Sequence, residues 1–237
     1  MKSGLKTLLT RLGYRLYRLP ENKLLNEDPF VAIKSSITRD PVFFDIGANT
    51  GQTIGKMLLH YPNSKIHSFE PAVNCIKELR LNHGSRSNVF INHSAVGEQN
   101  GEIMFNQYEW SSLNSVHERT FTSSKITGNY RVPVVSVDDY CKDNDIEHID
   151  LIKTDTEGYE LHVLRGANRM LASGRISFVL VELFFMQHFN GQDEAHDIIA
   201  YLKANHFDLV RFYEMEYSTY GIASRVDALF KYRNPDG

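Results

Sequence analysis

Phe43-Phe44-Asp45-Ile46-Gly47-Ala48-Asn49-Thr50-Gly51 reads as a buried strand that stops at a glycine-bearing turn and hands over to a helix near Thr50. Gly47 and Gly51 admit positive φ and close backbone approach. The helix start offers unpaired N–H groups to an anionic or polar ligand. In an open α/β sheet, ligands bind beyond the strand C-termini, where the strand order reverses. A ligand-free tight βα turn would use the same glycines.

Downstream, His67-Ser68-Phe69-Glu70-Pro71 reads as a second strand ending in an acid, 19 residues after Gly51. A carboxylate there can accept two hydrogen bonds from a ribose diol. Pro71 suits the first turn of a following helix. A nicotinamide enzyme would use the same acid, but its first turn is G-x-G-x-x-G. Here the turn is Gly47-Ala48-Asn49-Thr50-Gly51. It lacks the glycine that clears space for a pyrophosphate, which favours a nucleoside without phosphates.

The third stretch is Asp150-Leu151-Ile152-Lys153-Thr154-Asp155-Thr156-Glu157-Gly158-Tyr159-Glu160. A buried strand here delivers Lys153, Asp155 and Glu157 to the crevice. Polar residues clustered at a strand's C-terminal end point to a site rather than to packing. Glu160 is read instead as complementing the positive end of the next helix.

Around these stretches, short β-rich runs alternate with helical periods. Strands are expected at Pro41–Ile46, Lys65–Glu70, Asn88–His93, Ile149–Thr154, Ile176–Glu182, Phe207–Tyr213 and Val226–Tyr232. Helical faces are expected from Val73, Ile76 and Leu79, from Leu161, Leu164, Asn168 and Leu171, and from Ala195, Ile198, Ile199 and Leu202. Such alternation implies βαβ units, a mostly parallel sheet and helices on both faces. No helical pattern separates the last two strands, so they should pair as an antiparallel hairpin. Residues 106–131 are polar, lack a period and hold the single tryptophan, Trp110. They are expected to be a lid-like loop inserted in a domain spanning residues 41–237.

The chain has 237 residues, 42% apolar and 23% charged, which fits one globular domain and disfavours disorder. No apolar run approaches the ~18 residues of a membrane span, and no signal-peptide core is present, so a cytoplasmic protein is expected. Cys75 and Cys141 form no C-x-x-C pair, which argues against a zinc or redox site. The net charge is −3, yet residues 1–20 hold Lys2, Lys6, Arg11, Arg15 and Arg18 and no acid. A mildly acidic body does not look like a nucleic-acid binder. On a helix, Leu5, Leu8, Leu9, Leu12, Leu16 and Leu19 share one arc flanked by the basic residues. Residues 1–40 are therefore read as a helical extension. Its stripe at residues 1–20 serves either self-association and docking on the body, or peripheral contact with the anionic inner face of a membrane.

Taken together, FFDIGANTGQT, HSFEP and IDLIKTDTEGYELHVLRGA resemble the FkbM family of S-adenosylmethionine-dependent methyltransferases. Lesser segments agree: Ser94-Ala95-Val96-Gly97, Val137-Asp138-Asp139 and Val181-Glu182. The resemblance runs from about Pro41 to Phe230, and its specificity lies in the three motifs in this order and spacing. It implies a Rossmann-like methyltransferase sheet, six parallel strands with an antiparallel seventh, and acceptor hydroxyls on sugars, glycolipids or polyketides. It also implies that Asp45, Gly47, Asn49 and Gly51 hold the methionine part of S-adenosylmethionine and Glu70 its ribose. Ser94 and Ala95 would meet the adenine, and Asp155 would lie near the sulfonium.

A sugar hydroxyl is a poor nucleophile at neutral pH and needs a general base or a metal. Asp155 is the leading base, followed by Glu157 and His188, with Glu182 nearby and His117 a remote alternative. A Mg²⁺ shared by Asp155, Glu157 and Glu182 is the lesser route; no dedicated ligand motif is present, so no metal site is assigned. Two other classes remain as alternatives, a nicotinamide-dependent reductase and a non-catalytic donor-binding module.

Overall fold

The hydrophobic strand runs fold as expected, and their alternation sorts side chains onto two faces. The computed structural model describes residues 7, 9–12, 28–37 and 39–235. The amphipathic helix expected over residues 1–20 lies largely outside the described residues. In chain order the strands are β1 (Val42–Ile46), β2 (Lys65–Phe69), β3 (Val89–Asn92), β4 (Ala95–Val96), β5 (Gly101–Tyr108), β6 (Ile126–Val135), β7 (Ile149–Thr154), β8 (Ile176–Phe184), β9 (Phe207–Tyr217) and β10 (Ala223–Tyr232). The helices are α1 (Pro29–Ala32), α2 (Gln52–His60), α3 (Val73–His83), α4 (Val137–Asp143), α5 (Glu160–Arg165), α6 (Asn168–Ala172) and α7 (Ala195–Ala204).

The main sheet has the order β3-β2-β1-β7-β8-β10-β9. Pairings among β3, β2, β1, β7 and β8 are parallel, and β10 runs antiparallel between β8 and β9. This is the Rossmann-like methyltransferase arrangement, and the strand order reverses between β1 and β7. Phe44, Ile152 and Val179 point to one face with Leu161, Leu164, Ile198 and Leu202. Phe43, Leu151 and Leu180 point to the other with Ile54, Met57, Ile76 and Leu79. With both faces covered, the central strands carry near-continuous apolar runs.

Three features depart from expectation. The face predicted from Leu161 to Leu171 is split into α5 and α6 at Gly166. A Cβ on Gly166 would stand 2.0 Å from the Gly97 carbonyl oxygen, so the chain is pinched there. Second, residues 106–131 are not all loop: Asn106–Tyr108 and Ile126–Arg131 extend the β5–β6 hairpin of a second sheet, β4-β6-β5. Its polar sequence hides the strands because one face is solvated and Asn129 donates across it to the Asn106 side chain at 2.7 Å. Only residues 109–125 form the connection, with a 3₁₀ turn at Ser111–Leu113. Third, Phe30, Ala32 and Ile33 are buried in the core, so residues 28–37 pack with the body rather than with an extension.

Candidate active site

At the reversal point, β1 and β7 deliver their turns side by side. Gly47 has φ 81°, and a Cβ there would meet the Asp155 carbonyl oxygen at 1.9 Å. Gly51 has φ 95° and its Cβ would strike the His83 ring at 2.4 Å. Asn49 adopts φ 49° between them. The Gly47 and Ala48 N–H groups both donate to the Phe69 carbonyl, which fastens the turn to the end of β2.

Glu70 completes that fastening. Its Oε2 accepts from the Asn49 N–H at 2.8 Å and its Oε1 from the Ala72 N–H at 2.7 Å. Burial raises its pKa to about 7, against the pull of those two donors. A carboxylate offers about four acceptor sites, so both oxygens keep capacity for a ligand.

Asp45 and Lys153 are register partners on β1 and β7, so their side chains meet on one face. The Asp45 carboxylate is fully buried, 3.8 Å from Lys153 Nζ, with no hydrogen bond to either oxygen. Burial lifts its pKa to about 6. Lys153 Nζ lies 2.9 Å from Asp155 Oδ2. Burial disfavours the ammonium, but Asp155 and Asp45 outweigh it and hold the Lys153 pKa above its ordinary value. Lys153 thus couples the floor of the site to Asp155 at its mouth.

The loop after β7 is braced by Glu160, whose carboxylate accepts from the Thr156 N–H, the Thr156 hydroxyl and the Gly158 N–H. These bonds fall on the loop before α5 rather than on the helix start expected from sequence, where the Leu161 N–H donates instead to Asp193 Oδ2 at 2.7 Å. The brace holds Glu157 at φ 56°, a strained conformation for a non-glycine residue. Ser115 Oγ donates to the Glu157 carbonyl at 2.7 Å and ties the 109–125 segment to the loop.

Two cavities open here. The first, about 270 Å³, is lined by Gly47, Asn49, Glu70, Ser94, Ala95, Asp155 and Glu157, and by Ser111, Ser112, Asn114 and Tyr159. The second, about 240 Å³, is an acidic basin lined by Ser112, Asp155, Glu157, Glu182, Glu214, Glu216, Arg225 and Asp227. Asp155, Glu157 and Ser112 belong to both. Arg225 Nη1 donates to Glu182 Oε1 at 3.0 Å, while its Nε and Nη2 donate to Glu216. Burial raises the Glu157 and Glu182 pKa values, and the Asp155 charge adds to both.

Of the residues expected from sequence, Gly47, Asn49, Glu70, Ser94, Ala95, Asp155 and Glu157 come together on the cavity walls. Asp45 and Gly51 lie behind that surface. His188, expected as a base, lines neither cavity. The turn after β8 carries it to Arg119 Nη2, 3.2 Å from its Nδ1, and to Ser224 Oγ, 2.8 Å from its Nε2. There it braces Arg119, whose Nη1 stands 3.8 Å from Glu157 Oε2. Sequence reading missed Arg119 and Arg225, because a lone cation in a loop or at a strand end carries no periodic signal.

The family described as the methyltransferase FkbM domain matches residues 45–209, from the Asp45 turn to β9. The chain belongs to the FkbM methyltransferase family. The 2-O-methyltransferase NoeI of Sinorhizobium fredii (strain NBRC 101917 / NGR234) is 28% identical over 183 residues, covering 72% of this chain and 74% of that protein. Among solved structures, the precorrin-6y C5,15-methyltransferase of Geobacter metallireducens GS-15 aligns with TM-score 0.48 at 11% identity, covering 92% of this chain and 94% of its own. Aeropyrum pernix fibrillarin, with S-adenosyl-L-methionine bound, aligns with TM-score 0.47 at 13% identity, covering 88% and 76%. Neither is near enough to bear on chemistry. As a member of its family, this FkbM methyltransferase draws its methyl group from S-adenosylmethionine.

Proposed function

We propose that the enzyme methylates a hydroxyl of a sugar, a glycolipid glycan or a related natural product, with S-adenosylmethionine in the larger cavity and the acceptor in the acidic basin. The observation that carries this reading is that the two cavities meet at Asp155. The name of the NoeI relative, a 2-O-methyltransferase, supports an oxygen acceptor.

In this reading the Gly47–Asn49 turn and the start of α2 take the methionine part, Glu70 the ribose diol, and Ser94 and Ala95 the adenine. Asp45 acts from beneath by fixing Lys153, and Gly51 by letting α2 pack on α3. An acceptor oxygen attacks the methyl carbon in line with the carbon–sulfur bond. The bond's electron pair passes to sulfur, S-adenosylhomocysteine leaves, and the hydroxyl proton goes to Asp155. Alignment of oxygen, carbon and sulfur supplies most of the acceleration. Glu157, with its carboxylate at the same junction, is the second candidate for the proton. A Mg²⁺ on the basin carboxylates would raise the acidity of the hydroxyl.

Calorimetry should detect S-adenosylhomocysteine binding with low micromolar Kd and only weak NAD(P) binding. Asp155→Asn should retain that affinity within about threefold and lower kcat by about 10²–10⁴-fold with the true acceptor. Full turnover in Asp155→Asn would remove it as the base. NAD(P) binding tighter than that of S-adenosylhomocysteine would overturn the donor assignment.

A further inference from the structure

Six carboxylates line the basin, those of Asp155, Glu157, Glu182, Glu214, Glu216 and Asp227, against the single guanidinium of Arg225. Charge of one sign at this density is costly unless something else neutralises it. Lys153 pairs with Asp155 at 2.9 Å, and the remaining cations leave two buried oxygens without a donor. Arg225 donates to Glu182 Oε1, yet Glu182 Oε2 is buried and accepts no hydrogen bond. Arg119 and Arg225 each stand 3.8 Å from a Glu157 oxygen, beyond hydrogen-bonding distance, and Glu157 Oε2 is likewise buried without a donor. Both side chains are at least nine-tenths buried. A buried carboxylate oxygen with no donor costs free energy that a folded chain does not bear without compensation.

These two carboxylates cluster with a third. Asp155, Glu157 and Glu182 each offer an oxygen, and the three oxygens lie within 4.8 Å of one another. Oxygens bound to one Mg²⁺ stand about 3–4.2 Å apart, so a small contraction seats an ion. The donor set is all carboxylate, with no histidine or thiolate, which selects hard cations of the Mg²⁺, Mn²⁺ and Ca²⁺ kind. We propose that Asp155, Glu157 and Glu182 bind one divalent cation, and that a pair of neighbouring acceptor hydroxyls completes its coordination.

The proposal rests on the methyl-transfer reading of the basin and narrows its substrate to a vicinal diol. Three protein oxygens leave about three positions of an octahedral ion free, enough for two hydroxyls and a water. The ion would then set which hydroxyl faces the methyl group. A hydroxyl bound to it loses its proton more readily, and that proton still passes to an Asp155 oxygen that does not face the ion.

The test is a titration of the full chain with Mn²⁺ in the presence of S-adenosylhomocysteine, read by electron paramagnetic resonance. One Mn²⁺ should bind per chain and be displaced by Mg²⁺. Glu182→Gln and Glu157→Gln should each weaken it by about tenfold or more, and Glu182→Gln, which lines the basin and not the larger cavity, should hold S-adenosylhomocysteine affinity within about twofold. Thermal melting supplies the second readout. In EDTA, Glu182→Gln should melt above the wild type, because burial and the neighbouring Asp155 and Glu157 charges outweigh the Arg225 pair at this carboxylate. Added Mn²⁺ should raise the wild-type Tm and leave that of the variant unchanged. Absence of saturable Mn²⁺ binding below about 5 mM, or equal binding to the wild type and both variants, overturns the cation site. Because Glu70→Ala should lose S-adenosylhomocysteine and keep Mn²⁺, failure of the donor reading and failure of the cation site are seen separately.

Discussion

At Gly47 the backbone passes so close to β7 that a single methyl group would overlap the Asp155 carbonyl oxygen. With φ also at 81°, Gly47→Ala must strain the turn and push the β1 and β7 ends apart. The expected cost is roughly 2–4 kcal/mol in stability, together with loss of donor binding. Chemical denaturation and calorimetry check the two halves. Glu70 is legible from sequence as an acid at a strand end, but its structural work is not. It accepts from the Asn49 and Ala72 N–H groups and thereby shapes the turn it was expected only to accompany. Glu70→Ala should weaken S-adenosylhomocysteine binding by about 1.5–3 kcal/mol, whereas undiminished affinity by calorimetry would sever Glu70 from the donor site. Arg119 and Arg225 had no such signal. Their importance comes from carboxylates on β8, β9 and the loop after β7, distant in sequence and adjacent only in the fold.

The elements that were misread are those whose pattern is set by neighbours rather than by period. The inner ends of the β5–β6 hairpin, Asn106–Tyr108 and Ile126–Arg131, looked like loop because Asn106 and Asn129 pair with each other there, so polar residues occupy positions that an apolar alternation would fill. The segment from 109 to 125 matters for the site through few contacts. Ser115 is fully buried, donates to the Glu157 carbonyl and accepts from the His117 N–H at 3.0 Å. Ser115→Ala leaves both partners unsatisfied and should cost about 1–3 kcal/mol. Because it releases the strained loop at Glu157, kcat should fall more than the melting temperature alone would explain. A variant that loses stability with unchanged kcat would confine Ser115 to packing.

For the whole molecule, buried acids tilt the pH dependence of stability. Glu70 and Glu160 have pKa values raised by burial to about 7 from an ordinary 4.5. The folded chain therefore holds protons there that the unfolded chain has lost. That contribution is full below about pH 4.5 and disappears as the pH rises through 7. His67 acts with the opposite sign, since burial lowers its pKa to about 4, but its effect is confined below its ordinary 6.5. Between pH 6.5 and 8 the acids dominate, and stability in EDTA should fall by about 1–2 kcal/mol. A flat or rising profile in urea unfolding would refute this. A truncated chain starting at Asp28 should bind S-adenosylhomocysteine as the full chain does, since every residue lining the larger cavity, proposed for the donor, lies at or beyond Ile46. Starting at Pro41 instead should destabilise it, because Phe30, Ala32 and Ile33 leave the core. If residues 1–20 serve membrane contact or self-association, as their leucine stripe and five cations propose, truncation at Asp28 should abolish anionic-vesicle binding or change the oligomeric state.

The parallel sheet, its closing hairpin and the glycine turn after β1 were determined by the sequence alone. Strand apolarity, helical period and the positions of Gly47, Gly51, Glu70 and Asp155 are local properties, each read within a dozen residues. The acidic basin was decided by tertiary structure. Strand β10 enters the sheet between β8 and β9, so Arg225 and Asp227 arrive beside Glu182 and Glu216. The displacement of His188 from the site and the split at Gly166 have the same origin. They depend on which backbones approach across the fold, and close packing of that kind leaves no periodic trace in the chain.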